Sequence, residues 1–479
     1  MTITEGYLEN PIFGIVSEQA QRLGVRAFVI GGYVRDCFLG RQSNDIDIVV
    51  EGSGTELAEA VGKRVRSKVS VFRNFGTAML RYRGDEIEFV GARKESYRRE
   101  SRNPIVENGS LEDDQMRRDF TINAMAFSLQ KDSYGELVDP FGGIRDLAAG
   151  IIRTPLDPDT TYSDDPLRMF RAIRFATKLS TPEMNFTIVP ESVESIRRMG
   201  DRISILSKER IADELNKMMA TPRPSMAFRL LDDTRLLERI LPEISGLKGV
   251  ESIDGRGHKE NFSHTLAVLD NVSASDGDEP RLWLRWAALL HDIGKPASKR
   301  FDAQSGWTFH GHELIGARMV PKIFTRLSLP LDERMKYVQK LVKLHLRPIA
   351  LVDDGVTDSA VRRLLFDAGD DVDDLMTLCD ADVTSKNPAK VARIRNNFDL
   401  VRRKLAEVEE KDRIRNFKNP ISGEYLMELY GIPPCREIGI LKEYVKESIL
   451  DGVIGNNFDE ADAIVRRKAA EMGLKAGRD

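Results

Sequence analysis

Two glycines, an arginine and an Asp-x-Asp nine residues further on limit most tightly what this chain can become. The stretch reads Gly31-Gly32-Tyr33-Val34-Arg35-Asp36, then Asp45-Ile46-Asp47. The apolar run Ala27 to Ile30 predicts a short strand ending in the glycines. Without a Cβ, their backbone N–H groups can approach a phosphate closely. Val34, Cys37 and Phe38 fall at helical spacing, and Gly40 is placed to stop that helix. Its N-terminus and Arg35 would both attract a triphosphate. From Asp45 to Val50 alternate residues share a strand face. Asp45 and Asp47 therefore point one way while Ile46, Ile48 and Val50 pack inward. Two carboxylates on one face suit Mg²⁺. An isolated Asp-x-Asp is equally a solvated turn; the upstream Gly-Gly and Arg35 favour the metal reading. Glu88, in Glu86-Ile87-Glu88-Phe89-Val90, is the third carboxylate, with Glu86 on the same side and Asp85 nearby.

A chain of 479 residues has room for roughly two to four domains. No apolar run reaches the ~18 residues of a membrane span, and Met1-Thr2-Ile3-Thr4-Glu5-Gly6 is not a signal peptide. Cys37, Cys379 and Cys435 lie far apart without a Cys-x-x-Cys, which argues for a reducing compartment and against a zinc ribbon. A cytoplasmic protein with no membrane partner is expected. The net charge of −4 excludes a uniformly basic nucleic-acid binder. Local clusters remain, at Arg93 to Arg102 and Lys390 to Lys404, and each also reads as a solvated face.

Residues 1–150 mix short strands with helices, and beyond Ile151 the pattern turns helical. Thr154-Pro155-Leu156-Asp157-Pro158, then Pro242 with Gly246 to Gly257, then Lys386 to Pro388 punctuate the rest. The expected domains are 1–150, 151–245, 246–385 and 386–479.

Two further motifs suit a nucleotide. In Arg117-Arg118-Asp119-Phe120-Thr121-Ile122-Asn123, the arginines fit phosphates and Asp119 could accept a ribose 2′-OH. Asp119 reads equally as a helix cap or ion-pair partner. In Asp164-Asp165-Pro166-Leu167-Arg168, Asp165 caps a helix that Pro166 opens, and Arg168, Arg171 and Arg174 step along it by threes. Met169, Phe170, Ile173 and Phe175 take the buried side. A carboxylate acceptor beside a guanidinium donor matches the edges of cytosine and adenine, and mismatches guanine and uracil. The alternatives are a cap alone and a solvated stripe.

These motifs, with Asp139-Pro140-Phe141-Gly142-Gly143 between them, occur in an order that resembles the bacterial-type tRNA nucleotidyltransferase/poly(A) polymerase family, specifically its CCA-adding members. The resemblance covers residues 20 to 245. It implies a multidomain α+β fold: a polymerase-beta-like nucleotidyltransferase α/β head, then an all-α neck, an HD body and a helical tail that cradle the tRNA acceptor arm. It implies that Gly31, Gly32, Arg35, Arg118, Asp119, Asp165, Arg168, Arg171 and Arg174 hold CTP or ATP. Asp45 and Asp47 would hold Mg²⁺, with Glu88 the third catalytic carboxylate. Where the family's template motif begins Glu-Asp, this chain has Asp164. The segment Ala92 to Gly109 occupies the place of the family's flexible loop, which members that add only the terminal A shorten. The implied activity is template-independent addition or repair of the tRNA 3′-CCA, releasing pyrophosphate. Poly(A) polymerase or A-only activity is the alternative.

All six histidines fall between His258 and His345. His264, then His291-Asp292-Ile293-Gly294-Lys295 closing an apolar helix, then His310, His312, His345 and Asp382, suit a divalent transition metal such as Mn, Ni, Fe or Co. The arrangement is similar to HD-domain metal-dependent phosphohydrolases. That resemblance makes His264, His291, Asp292 and Asp382 the first ligands. His310, His312 and His345 form a second set, facing a phosphate or a second metal. His258 reads as structural. A phosphoester such as a 2′,3′-cyclic phosphate at a damaged RNA end is the expected substrate. A phosphohydrolase with a nucleotide-sensing head is the remaining alternative.

Overall fold

The computed structural model describes residues 6–72, 76–98, 101–249, 252–253, 256–257, 260–304, 306–353, 357–385, 387–412 and 417–475. The chain divides into two compact units, Met1–Ile240 and Leu241–Asp479. The expected boundary at 150 lies inside the first unit and that at 385 inside the second. His258 and the side chains from 95 to 106 lie outside the described residues.

The first unit opens with helix α1 (Pro11–Leu23). Asn10 caps its N-terminus and Gly24, left-handed, ends it. Then come β1 (Arg26–Ile30), α2 (Gly32–Phe38), β2 (Asp45–Glu51), α3 (Gly54–Val65), β3 (Val69–Phe72), β4 (Thr77–Tyr82) and β5 (Asp85–Gly91). A separate hairpin follows, β6 (Arg93–Arg98) and β7 (Ser101–Asn108). After α4 (Leu111–Met116), strands β8 (Ala126–Ser128) and β9 (Leu137–Val138) complete the sheet. Its order is β3-β4-β5-β2-β1-β8-β9. Only β2 and β5 run parallel; the other neighbours are antiparallel. Ile46, Ile48, Val50, Ile87 and Phe89 are buried, as the alternation predicts.

The segment expected as a flexible loop is thus a strand pair. It leaves the sheet at Ala92, whose carbonyl accepts from Gly109 N–H at 2.9 Å. A Ser110–Asp113 capping box then starts α4.

Helix α5 (Gly143–Ala148) and the two-residue strand β10 (Ile151–Ile152) lead to α6 (Pro158–Asp164), capped by Asp157, and α7 (Leu167–Leu179). Strand β11 (Thr187–Ile188) pairs in parallel with β10, so this region is helical apart from one short ladder. Helices α8 (Pro190–Met199) and α9 (Lys208–Met219) follow; α6 packs on α8 and α7 on α9.

In the second unit the Leu282–Leu290 helix is apolar nearly all round and buried from Leu284 to Leu290. It packs on the Asn261–Ala274 and Glu333–Leu344 helices, and the Val372–Asp382 helix packs on Asn261–Ala274. The hairpin Arg300–Asp302/Gly306–Thr308 interrupts an otherwise helical run. A long helix, Pro388–Asp412, and three shorter ones close the unit. Among the described residues no helix is long and apolar enough to cross a membrane.

Candidate active site and metal centre

Residue parity builds the head site. The parallel register sets Asp47 beside Glu88 and Asp45 beside Glu86, so the acids share one sheet face. Glu86 is drawn aside by Arg81, whose Nε donates to it at 3.0 Å. Burial raises the Asp47 carboxyl first. Arg118 lowers it, but Asp45 and Glu88 raise it again, and it stands at about 6. A carboxylate held that high by burial, with Asp45 and Glu88 adding to it, is placed where a cation would relieve the crowding of charge.

Gly31 closes the site from the other side. Its φ of +84° belongs to glycine. A Cβ there would stand 2.7 Å from Arg118 Nη1 and 3.3 Å from Asp47 Oδ2. At Gly32 a Cβ would meet only Arg35 Nη2, at an ordinary 3.6 Å. Gly31 is therefore the glycine this fold requires. Arg118 also donates from Nε to the buried Asp114 at 3.2 Å, and Arg117 pairs with the same carboxylate.

The arginines are tightly organised. Arg35, 5% exposed, donates to Asn123 Oδ1 at 2.7 Å and to Asp36 at 2.9 Å. Asn123 in turn donates to Asp119 Oδ1 at 2.9 Å. Asp119 accepts from Arg171 Nε at 2.7 Å and from Phe120 N–H at 2.8 Å. Burial pushes its carboxyl up, but Arg171 and Asn123 outweigh that and hold it at about 2. Arg168 donates to the Arg117 carbonyl at 2.7 Å. Arg174 is buried against Glu214 of α9 at 2.6 Å, not on a solvated stripe. Arg35, Arg171 and Arg174 surround the Phe175 ring at 5.2, 5.5 and 4.4 Å. Asp165 Oδ1 accepts from Leu167 N–H at 3.1 Å, so it does cap α7.

The Asp139-Pro140-Phe141-Gly142-Gly143 motif serves as a foundation. Asp139 accepts from Gly143 and Ile144 N–H at 2.6 and 2.9 Å, fixing the start of α5. A Cβ on Gly143 would stand 2.3 Å from the Thr121 carbonyl. Only glycine lets α5 press against the backbone that carries Asp119 and Asn123.

The second unit holds the histidine centre. Asp292, 1% exposed, lies at its middle. Its Oδ2 stands 3.1 Å from His291 Nε2 and 3.6 Å from His264 Nε2; its Oδ1 stands 3.2 Å from His312 Nε2 and 3.9 Å from His345 Nε2. Asp382 Oδ1 contacts His264 Nε2 at 2.8 Å. The donors fall into two groups, His264 with His291 and Asp382, and Asp292 with His312 and His345. Lys295 Nζ lies 2.5 Å from Asp292 Oδ2.

Three features fit a metal here. His291 Nε2 is sealed from solvent and makes no aligned hydrogen bond. His312 and His345 bring their Nε2 atoms to 3.3 Å. Both donate from Nδ1 to main-chain carbonyls, so these nitrogens are facing lone pairs that a cation would relieve. Burial above all lowers His345 to about 4, which keeps it neutral as a ligand must be. Asp382 is raised by burial but pulled down more strongly, to about 2, by the His264 hydrogen bond and His291. His310 is exposed and joins neither group.

Residues 27–153 match the family model of the poly A polymerase head domain. Residues 185–247 match that of the probable RNA- and SrmB-binding site of polymerase A, and 261–387 that of the HD domain. An A-adding tRNA nucleotidyltransferase of Deinococcus radiodurans is 33% identical over 370 residues, 76% of this chain and 80% of that protein. The chain belongs to the tRNA nucleotidyltransferase/poly(A) polymerase family. A Multifunctional CCA protein of Ralstonia nicotianae is 34% identical over 329 residues, covering 65% of this chain and 70% of that one. A solved tRNA nucleotidyltransferase, complexed with a primer tRNA and an incoming ATP analog, superposes with a TM-score of 0.57 at 26% identity, over 81% of this chain and 98% of that one. A CCA-adding enzyme in complex with CTP shares the fold at a TM-score of 0.63 and 22% identity, over 98% and 95% of the two chains.

This family member is therefore a nucleotidyltransferase, with a polymerase-beta-like head, a helical body and an HD domain. Reading the sequence alone misses Asn123, Asp114 and Glu214 as organisers of the head site, and Thr384, whose Oγ1 lies 2.9 Å from His264 Nδ1, at the histidine centre. Asn123 had a local signal, since it lies four residues beyond Asp119 in the same motif. Glu214 and Thr384 act across 40 and 120 residues, where spacing carries no signal.

Proposed function

We propose that this enzyme adds or repairs the 3′-terminal CCA of tRNA, using CTP and ATP and releasing pyrophosphate. The observation that carries the reading is the carboxylate face of β2 and β5, where burial, with Asp45 and Glu88 adding to it, raises Asp47 to about 6. Asp45, Asp47 and Glu88 would hold Mg²⁺, which when bound supplies Lewis acidity at the transferring phosphoryl group. Gly31, Gly32, Arg35 and Arg118 would position the triphosphate, and Asp119 would face the ribose. Asp165 and Arg168, one turn apart at the start of α7, would read cytosine or adenine. The tRNA acceptor arm would present its 3′-OH to the carboxylate face.

The hairpin β6–β7 favours full CCA addition, because its place is that of the loop which A-only enzymes shorten. A second reading, A-only addition, is favoured by the Deinococcus relative. Incubation of labelled CTP or ATP with tRNA lacking CCA, and in parallel with tRNA ending in CC, separates the two. Incorporation of C and then A is expected. Incorporation of A only, on tRNA ending in CC, would establish the second reading, and long A tails would make the enzyme a poly(A) polymerase. No incorporation at all would leave the head a nucleotide sensor. For Asp165→Ala and Arg168→Ala, the ratio of kcat/KM for CTP over UTP should fall by ~1–3 kcal/mol of discrimination. An unchanged ratio in both variants would leave Asp165 only a cap.

We further propose that the histidine centre is a phosphohydrolase site for a divalent transition metal (Mn, Ni, Fe or Co). Its ligands would be His264, His291, Asp292 and Asp382, joined by His312 and His345. The two oxygens of Asp292 face the two donor groups, which supports a site for two ions. A 2′,3′-cyclic phosphate is a coherent substrate, since nucleotide addition needs a free 3′-OH. Hydrolysis of cyclic and linear phosphoesters with added Mn²⁺ or Ni²⁺ tests this; inactivity after reconstitution would reduce the centre to a scaffold.

A further inference from the structure

Each histidine of the centre turns Nε2 inward, but they are not held alike. His291, His312 and His345 donate from Nδ1 to the carbonyls of Ala288, Phe309 and Val342, at 2.8, 2.8 and 2.7 Å. Each carbonyl lies three residues upstream, so these histidines are anchored by their own chain turn. A carbonyl only accepts, so the ring proton is fixed on Nδ1 and Nε2 presents a lone pair.

His264 differs. Its Nδ1 faces Thr384 Oγ1 at 2.9 Å, a group 120 residues away in sequence. A hydroxyl donates as readily as it accepts. When Thr384 accepts, Nε2 is bare and faces the centre. When it donates, the ring proton sits on Nε2 and bonds Asp382 Oδ1, 2.8 Å away. His264 can therefore adopt either tautomer, the Nε2–H form bonding Asp382 and the bare form needing a cation between Nε2 and that carboxylate, where each of the other three is held in one by its carbonyl. Asp382 and Thr384 lie two residues apart, so one short segment supplies both a ligand and the group that orients its neighbour.

We infer that Thr384 is the positioning residue for one of two metal positions, that formed by His264, His291 and Asp382, and that this position is the less preorganised. The inference rests on the metal-centre reading above. The test is a Co²⁺ titration of the full chain, followed by visible absorption, with excess Mg²⁺ occupying the head carboxylates. Two Co²⁺ should bind in two steps. His264→Ala and His312→Ala mark which step belongs to which position. Thr384→Val should weaken the His264 step by roughly 10–100-fold and leave the other unchanged, and Thr384→Ser should restore it. Equal shifts in both steps, no shift in either, or a serine variant that behaves like valine would overturn the inference. Uptake of a single ion would also overturn it, while leaving the metal centre in place. A wild-type chain that takes up no Co²⁺ would instead remove the metal reading itself.

Discussion

Asp47 shows what a single side chain is asked to do. It is packed among like charges at a cost that a bound cation would reverse. Asp47→Ala should lower nucleotide incorporation by about 10³-fold or more, with fold and tRNA binding retained, since metal stabilisation of a phosphoryl transition state is worth several kcal/mol. Near-normal CTP incorporation would sink the assignment. Asp119 shows the opposite case. Its folded carboxyl stands at about 2, below the unfolded value of ~3.9, because burial is outweighed by Arg171 and Asn123. The sign follows: its contribution, about 2 kcal/mol, is present above pH ~4 and lost as pH falls from there toward 2. Urea unfolding from pH 7 down to 3 should show Asp119→Asn less stable than wild type at neutral pH, with the gap closing on acidification. A gap independent of pH would place the effect elsewhere.

At the scale of elements, α7 joins the nucleotide motifs to the neck. Arg168 and Arg171 reach back to Arg117 and Asp119, while Arg174 reaches across to Glu214 on α9. Removing one partner of a buried pair leaves the other charge stranded, so Glu214→Leu should cost about 3–5 kcal/mol of stability. Adding Arg174→Met should recover most of that loss without recovering nucleotide affinity. Thermal unfolding and CTP binding of the single and double variants measure the two effects; recovery of both would make Arg174 purely structural. This level was the least legible in the sequence. Strand parity put Asp45 and Asp47 on one face because a period of two is local. That Arg35 meets Asn123 88 residues on, or Arg171 meets Asp119 52 residues back, follows from tertiary packing and leaves no periodic trace. Arg35 reads in sequence as a phosphate ligand and Arg171 as one step of a helical stripe, and folding gives each a partner first.

At the scale of the molecule, an all-carboxylate set lies in Met1–Ile240, and a set that mixes imidazoles with Asp292 and Asp382 lies in Leu241–Asp479. Hard Mg²⁺ suits the first set and borderline metals the second. On the functions proposed above, His291→Ala combined with Asp292→Ala should abolish transition-metal uptake and phosphoester hydrolysis while leaving nucleotide addition to tRNA within about twofold. Parallel loss of both activities would show that the centres are coupled. The hairpin β6–β7 carries a different consequence. It departs from the sheet through one bonded pair, Ala92 and Gly109. Residues can be added or removed in pairs beyond that root with no change of register in β5 or α4, and doubling a loop costs only ~0.6 kcal/mol. The hairpin is therefore a part that drift can lengthen or trim without touching the carboxylates. On the function proposed here, the step between building a whole CCA end and supplying its last nucleotide lies within reach of an in-frame deletion, and evolution could cross it in either direction more than once.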